Sequence, residues 1–193
     1  LAPPADPVAT DPSRRRHHKH CKHKDDNTDP VPTLCDLPAS ADPVMRAGTD
    51  GMFYFGGINF QRDKLRSRVF LARYLDLNNR EAGDATRGTD PIRYVDTRII
   101  AENPPNVFID KPWIAVDVPR PGAAICEIPV EDGPNPATRR FLGGTIYASW
   151  AEFTLPDDLP TTTSTIKFTY SRDCGKTWVT PYKLNTGNSK LSQ

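Results

Sequence analysis

The chain has 193 residues, a size that suits one domain and is marginal for two. Its 20 prolines, about twice average usage, exclude a fold of long uninterrupted helices, because proline removes a backbone donor and clashes inside a helix. A net charge of +1 gives no global electrostatic case for nucleic acid, and no stretch approaches the roughly 20 apolar residues of a membrane helix.

Residues 1–41 read as an irregular tail rich in Pro, His and basic residues, with little apolar area to offset the entropy of ordering. The chain starts at Leu1 without a Met, as expected of a processed chain or a piece of a longer one, and no intact signal peptide is recognisable there. All four histidines fall in His17-His18-Lys19-His20-Cys21-Lys22-His23. The side chains of His17, His18, His20, Cys21 and His23 are good ligands for Zn, Cu or Ni. Flanking Arg and Lys repel cations, which favours a solvated basic tail over a metal site. The run is also a candidate polyanion patch, but without interleaved aromatics nucleic-acid binding gains no further support.

From residue 42 the pattern changes to short strands. Asp42-Pro43-Val44-Met45 is a short apolar stretch, and Asp50-Gly51 is a turn signal. Strands are expected at 52–60, 68–75 and 92–100, where aromatic and β-branched residues concentrate, with a polar loop before Asp90. Further strands are expected at 112–118, 145–153, 166–170 and 179–184, with a long Pro/Gly loop over 119–140. No helical pattern intervenes, which excludes an alternating βαβ fold and predicts an all-β chain.

The two halves overlay. Asp42-Pro43-Val44 takes the place of Asp110-Lys111-Pro112-Trp113, and Gly51-Met52-Phe53-Tyr54 that of Gly144-Thr145-Ile146-Tyr147. Tyr74-Leu75-Asp76-Leu77-Asn78 takes that of Ser171-Arg172-Asp173-Cys174-Gly175. Asn78 then falls where Gly175 does, and Asn is the best non-Gly residue for a left-handed turn. Four-stranded units repeating at tens of residues are the signature of a β-propeller.

The segment Ser171-Arg172-Asp173-Cys174-Gly175-Lys176-Thr177-Trp178 is a self-bonded hairpin corner. Ser171 and Asp173 can accept hydrogen bonds from nearby backbone N–H groups, Gly175 supplies positive φ, Thr177 returns the chain to β geometry, and Trp178 brings a large ring to bury. This motif is an Asp-box, and over about 41–187 the chain resembles the sialidase-like family of bacterial-neuraminidase-repeat propellers. Asp110-Lys111-Pro112-Trp113-Ile114-Ala115-Val116-Asp117 and Tyr147-Ala148-Ser149-Trp150 look like the first two strands of such a blade. The resemblance implies about two four-stranded blades of a larger ring: a degenerate Asp-box blade at 42–100, carrying Tyr74, Asp76 and Asn78, and an Asp-box blade at 110–187, carrying Ser171, Asp173, Gly175, Thr177 and Trp178. In that family Asp-boxes sit on the outer rim, so the match implies fold and not catalysis. The family's Arg-Ile-Pro motif is absent, and two blades do not supply its three arginines, Tyr/Glu pair and acidic Asp.

Other candidates are weaker. Asp110, Asp117, Glu127 and Glu152 could in principle form a glycosidase pair, though turn or surface roles account for them as well. Arg73 and Arg93 could reach an anionic ligand, but surface strand positions account for them more simply. Cys21, Cys35, Cys126 and Cys174 form no CxxC pair, suit up to two disulfides in an oxidising compartment, and allow three connectivities; free thiols are the alternative. The expected function is a secreted or cell-surface glycan- or protein-binding scaffold, completed by further blades of the same propeller or by another chain, with no membrane span and no required cofactor. A fragment of an exo-sialidase or related glycoside hydrolase is the enzymatic alternative. Metal or polyanion binding through the His-rich tail is the third.

Overall fold

A computed structural model describes residues 34, 37–62, 65–77, 92–132, 135–154, 163–185 and 189–190; for 130–132, 135–137 and 189–190 only the backbone is described. The described residues are all-β, and their sheets are antiparallel. The first sheet, here sheet A, is a meander of β1 (Ala39–Ala47), β2 (Met52–Gln61), β3 (Arg66–Asp76) and β4 (Ile92–Glu102), neighbours in space as in sequence. The second, sheet B, is built from β5 (Val107–Val116), β8 (Ile146–Thr154), β9 (Thr163–Ser171) and β10 (Tyr182–Lys183), again in chain order, with β11 (Ser189–Lys190) pairing the start of β9. Between β5 and β8 a separate hairpin, β6 (Ile125–Asp132) and β7 (Asn135–Leu142), is inserted. No sheet among the described residues closes on itself.

Most expected strands are present, and three differences have physical causes. β1 begins at Ala39, inside the segment read as tail, because Asn59 on β2 donates its side-chain amide to the carbonyls of Leu37 (3.2 Å) and Ala39 (2.9 Å) and holds the chain there. The expected loop over 119–140 contains the β6–β7 hairpin. Pro129 and Pro136 conceal it in the sequence; a two-stranded sheet tolerates them because each strand keeps one unpaired edge. The expected strand 179–184 is reduced to Tyr182–Lys183, although Val179 and Leu184 still donate to the carbonyls of Tyr170 and Ile166, since Pro181 interrupts the ladder.

Pairing registers reproduce the internal repeat. Both first strands carry a bulge, between Ala41 and Val44 in β1 and between Asp110 and Trp113 in β5, each with a positive-φ residue before a proline: Asp42 (φ 52°) and Lys111 (φ 54°). Three residues past each bulge, Ala47 pairs with Phe53 as Val116 pairs with Ile146. On the next ladder Phe53 pairs with Tyr74 as Ile146 pairs with Ser171. Tyr74 and Ser171 therefore occupy one position of a repeated unit, as do Asp76 and Asp173.

The two sheets stack so that unlike faces meet. Sheet A buries Val44, Met52, Tyr54, Ile58, Phe60, Val69, Leu71 and Leu75. Sheet B buries Ile109, Ile114, Ile146, Ala148 and Trp150 in the same core. Tyr54 is buried, but its repeat equivalent Tyr147 is only half-buried; Ile146 is buried, but its equivalent Phe53 is half-buried. Equivalent side chains point to the same face of their own sheet, so one face of sheet A packs on the opposite face of sheet B. Gly56 permits the close approach, because a Cβ there would run into the Ile114 side chain. Ser67 Oγ accepts the backbone N–H of Ile109 at 2.8 Å, linking β3 directly to β5.

Candidate functional site

The segment Ser171–Trp178, read in the sequence as an Asp-box, forms the corner between β9 and β10. Ser171 Oγ accepts the backbone N–H of Gly175 (2.9 Å) and donates to the Asp173 carboxylate (2.7 Å). Asp173 in turn accepts the backbone N–H (2.9 Å) and hydroxyl (2.6 Å) of Thr177. Cys174 (φ 59°) and Gly175 (φ 83°) make the left-handed turn. Partial burial of Asp173 opposes its ionisation, but the hydrogen bonds from Thr177 and Ser171 outweigh it and hold the carboxyl below the usual aspartate range. Trp178 packs half-buried against the core, and its indole N–H has no acceptor among the described residues.

The corner is the junction of all three sheets. Arg73 of β3 is buried at 2 % exposure and forks onto Asp96 of β4 (Nε 2.5 Å, Nη2 2.6 Å), while its Nη1 donates to the Cys174 carbonyl at 3.0 Å. Burial works against the Asp96 charge, but Arg73, aided by Arg98 at 2.8 Å, outweighs it and keeps the Asp96 carboxyl below its ordinary range. Nearby, burial pushes the Tyr54 hydroxyl up to about 12, with Arg73 partly opposing it. The expectation that Arg73 is a surface position is thus corrected: it clamps sheet A to the Asp-box of sheet B. Cys174 also forms a disulfide with Cys126 of β6, with Cα atoms 5.9 Å apart, which staples the inserted hairpin to the same corner. The hairpin reaches sheet A as well: Arg139 donates to the Leu77 carbonyl (3.0 Å) and lies 3.9 Å from Asp50, and Thr49 donates to the Leu142 carbonyl (2.8 Å).

A second cluster lies at the two first-strand bulges. Asp110 faces Asp42, and burial first, then the neighbouring Asp42 carboxyl, raises the Asp110 pKa above its ordinary value despite the backbone hydrogen bond from Lys111. Just beyond, Trp113 is 60 % exposed and the Arg46 guanidinium lies 4.5 Å from its ring centroid. An exposed tryptophan, a cation and two carboxyls on adjoining strands form a polar and aromatic ledge that the sequence reading did not assemble.

The other sequence candidates are dispersed. Asp117 lies 3.7 Å from Arg120, Glu127 3.0 Å from Arg140, and Glu152 3.5 Å from Lys167, so each of these carboxylates has its own cation. Arg93 is half-buried on β4. Tyr74 and Asp76 end β3; Tyr74 stacks on Phe53 (5.1 Å) and meets Tyr94 edge-on (5.6 Å), so a ring stands where Ser171 anchors the other corner. Asn78 lies outside the described residues, as do Cys21, Cys35, His17, His18, His20 and His23. Among the described residues there is no group of three or more His, Cys, Asp or Glu placed to hold a metal, and no helix long and apolar enough to cross a membrane. Comparison with protein-family models, with curated proteins and with solved structures finds no match to this chain.

Proposed function

We propose that this chain forms two blades of a sialidase-like β-propeller and works as a secreted or cell-surface scaffold that binds glycan or protein. The observation that carries this reading is the repeated unit: two four-stranded meanders in equal register, stacked by unlike faces, with an Asp-box at the third corner of the second. Tandem meanders stacked in this sense are how propeller blades follow one another.

The binding surface in this reading is the ledge where Arg46 lies over Trp113 and Asp42 meets Asp110. An exposed indole offers a flat apolar face for a sugar ring, and the flanking charges offer hydrogen bonds to its hydroxyls. Binding is favoured over hydrolysis because three of the four candidate catalytic carboxylates are separately ion-paired. The test is a glycan array probed with the purified protein, alongside a fluorogenic sialoside assay. The expected result is glycan binding without turnover, weakened about tenfold or more in Trp113→Ala at an unchanged thermal midpoint. Sialoside turnover would replace the scaffold reading with the hydrolase one.

A further inference from the structure

Two strands from different sheets meet at the ledge, and they touch twice. Asp42 of β1 and Asp110 of β5, each at its own strand's bulge, lie in hydrogen-bond contact. A few residues further along both strands, the Arg46 guanidinium lies 4.5 Å from the Trp113 ring centroid. The second contact joins a guanidinium to an aromatic face, and neither group titrates. The first contact depends on a proton. Two carboxylates carry only acceptors, so they hydrogen-bond each other only when one of them is protonated. Without that proton, two like charges face each other across the seam between the sheets.

The backbone at this seam is held under strain. Asp42 (φ 52°) and Lys111 (φ 54°) both stand in the left-handed region immediately before a proline. Only surrounding contacts keep non-glycine residues there. Loss of the carboxyl–carboxyl bond removes one such contact from both bulges at once.

Few other charges among the described residues face the pair. Burial first, then the Asp42 carboxyl, raises the Asp110 pKa against Lys111, which donates its backbone N–H at 2.9 Å and carries a favourable charge. Opposite the β1 bulge, β2 presents Gly56, Gly57 and Ile58. Opposite the β5 bulge, β8 presents Ala151 and Ser149, and β3 meets β5 through Ser67. None of these side chains titrates. Glu152, beside Ala151, has Lys167 at 3.5 Å.

We propose that Asp42 and Asp110 share one proton across the seam and that this proton gates the ledge. Bound, it holds β1 against β5 with Arg46 over Trp113; released, it lets the bulges part and frees the indole. The gate rests on the reading of the ledge as the binding surface and adds how that surface is regulated. Trp113 is 60 % exposed with Arg46 in place, so the protonated, closed ledge is the form that binds. The closed ledge holds the proton more tightly than the open one. It is therefore populated below the titration of the pair and lost as pH rises through it.

The test follows the indole N–H signals of the whole protein by nuclear magnetic resonance from about pH 3 to about pH 8, with Trp113 assigned through Trp113→Phe. The wild-type Trp113 signal is expected to move between two positions, with a midpoint above the ordinary aspartate range. Asp110→Asn keeps a donor for Asp42 at every pH, so its Trp113 signal stays at the acid position. Asp42→Asn does the same from the other strand, and thermal melting shows that each variant is folded. A wild-type Trp113 signal that does not move overturns the gate, as does one that moves equally in a folded Asn variant. A glycan array run at about pH 5 and about pH 7 separates the gate from the binding reading. Wild-type binding about tenfold tighter at the lower pH, with equal binding at both in Asp110→Asn, supports both. A titrating indole with no glycan bound at either pH overturns the binding reading and leaves the gate. Glycan binding independent of pH, with an unmoved indole, overturns the gate alone.

Discussion

Arg73 donates a hydrogen bond to the main-chain oxygen of Cys174 at 3.0 Å, across 101 residues of sequence and from one sheet to the other. The same guanidinium is held in a two-point fork by the Asp96 carboxylate, so one buried cation ties sheet A to the Ser171–Trp178 corner of sheet B.

Arg73→Met is expected to cost about 3–5 kcal/mol in urea unfolding, because it leaves the Asp96 carboxylate without its main partner. The double substitution Arg73→Met with Asp96→Leu should recover part of that loss, since it removes the buried carboxylate together with the buried cation and leaves only the partly exposed Arg98 without its ion pair. A double variant no more stable than the single one would show that the Cys174 hydrogen bond, and not the ion pair, carries the effect.

Removing the Cys126–Cys174 disulfide by Cys126→Ser with Cys174→Ser frees a loop of 48 residues. A chain-entropy estimate puts the loss at about 4 kcal/mol. The thermal midpoint of the variant should fall, and dithiothreitol should lower wild type by more than it lowers the variant.

Gly175→Ala puts a Cβ on a residue at φ 83°, 2.9 Å from Leu71 Cδ2. The backbone strain alone is expected to cost about 1–2 kcal/mol. Gly122 has the same sign of φ but open space around it, so Gly122→Ala should cost only the backbone strain. Equal losses at the two sites, measured by chemical denaturation, would show that the Leu71 contact relaxes freely.

The pH dependence separates the carboxyls. Asp96 and Asp173 have folded-state pKa values below the ordinary 3.8, so each binds fewer protons folded than unfolded. Their stabilisation is present above that value and is lost as pH falls through the folded pKa. Asp110 is the reverse: raised above 3.8, it favours the fold below that value and loses the benefit as pH rises through its folded pKa. Asp110→Asn is therefore expected to raise the thermal midpoint at pH 7 and to have little effect below the ordinary aspartate range. A midpoint at pH 7 equal to or below that of wild type would mean that burial and the Asp42 carboxyl together do not oppose the Asp110 charge.

Local chemistry was legible in the sequence because it acts over a few residues. Ser171, Asp173, Gly175 and Thr177 bond one another within four positions, so their spacing announces the corner they build. The repeat was legible because short segments match, Gly51–Tyr54 with Gly144–Tyr147 and Asp42–Val44 with Asp110–Trp113, although the spacing between them differs; Tyr74 and Ser171 share a position of the ladder register. The β6–β7 hairpin was not, because its prolines argue against strands unless a free edge is known to accept them.

The sequence by itself determined strands, corners and a repeated unit, all set by neighbours along the chain. Only the tertiary structure decided which face of each strand is covered. In Met52–Gln61 the residues of both faces are apolar over much of the strand, so alternation cannot say which side is the core. Stacking decides it, burying Tyr54 against sheet B while Phe53 lies half-buried on the other face. Tertiary packing likewise decided that Arg73 is a buried clamp and that Asp42 meets Asp110, because partners brought together from distant segments leave no periodic trace in the chain.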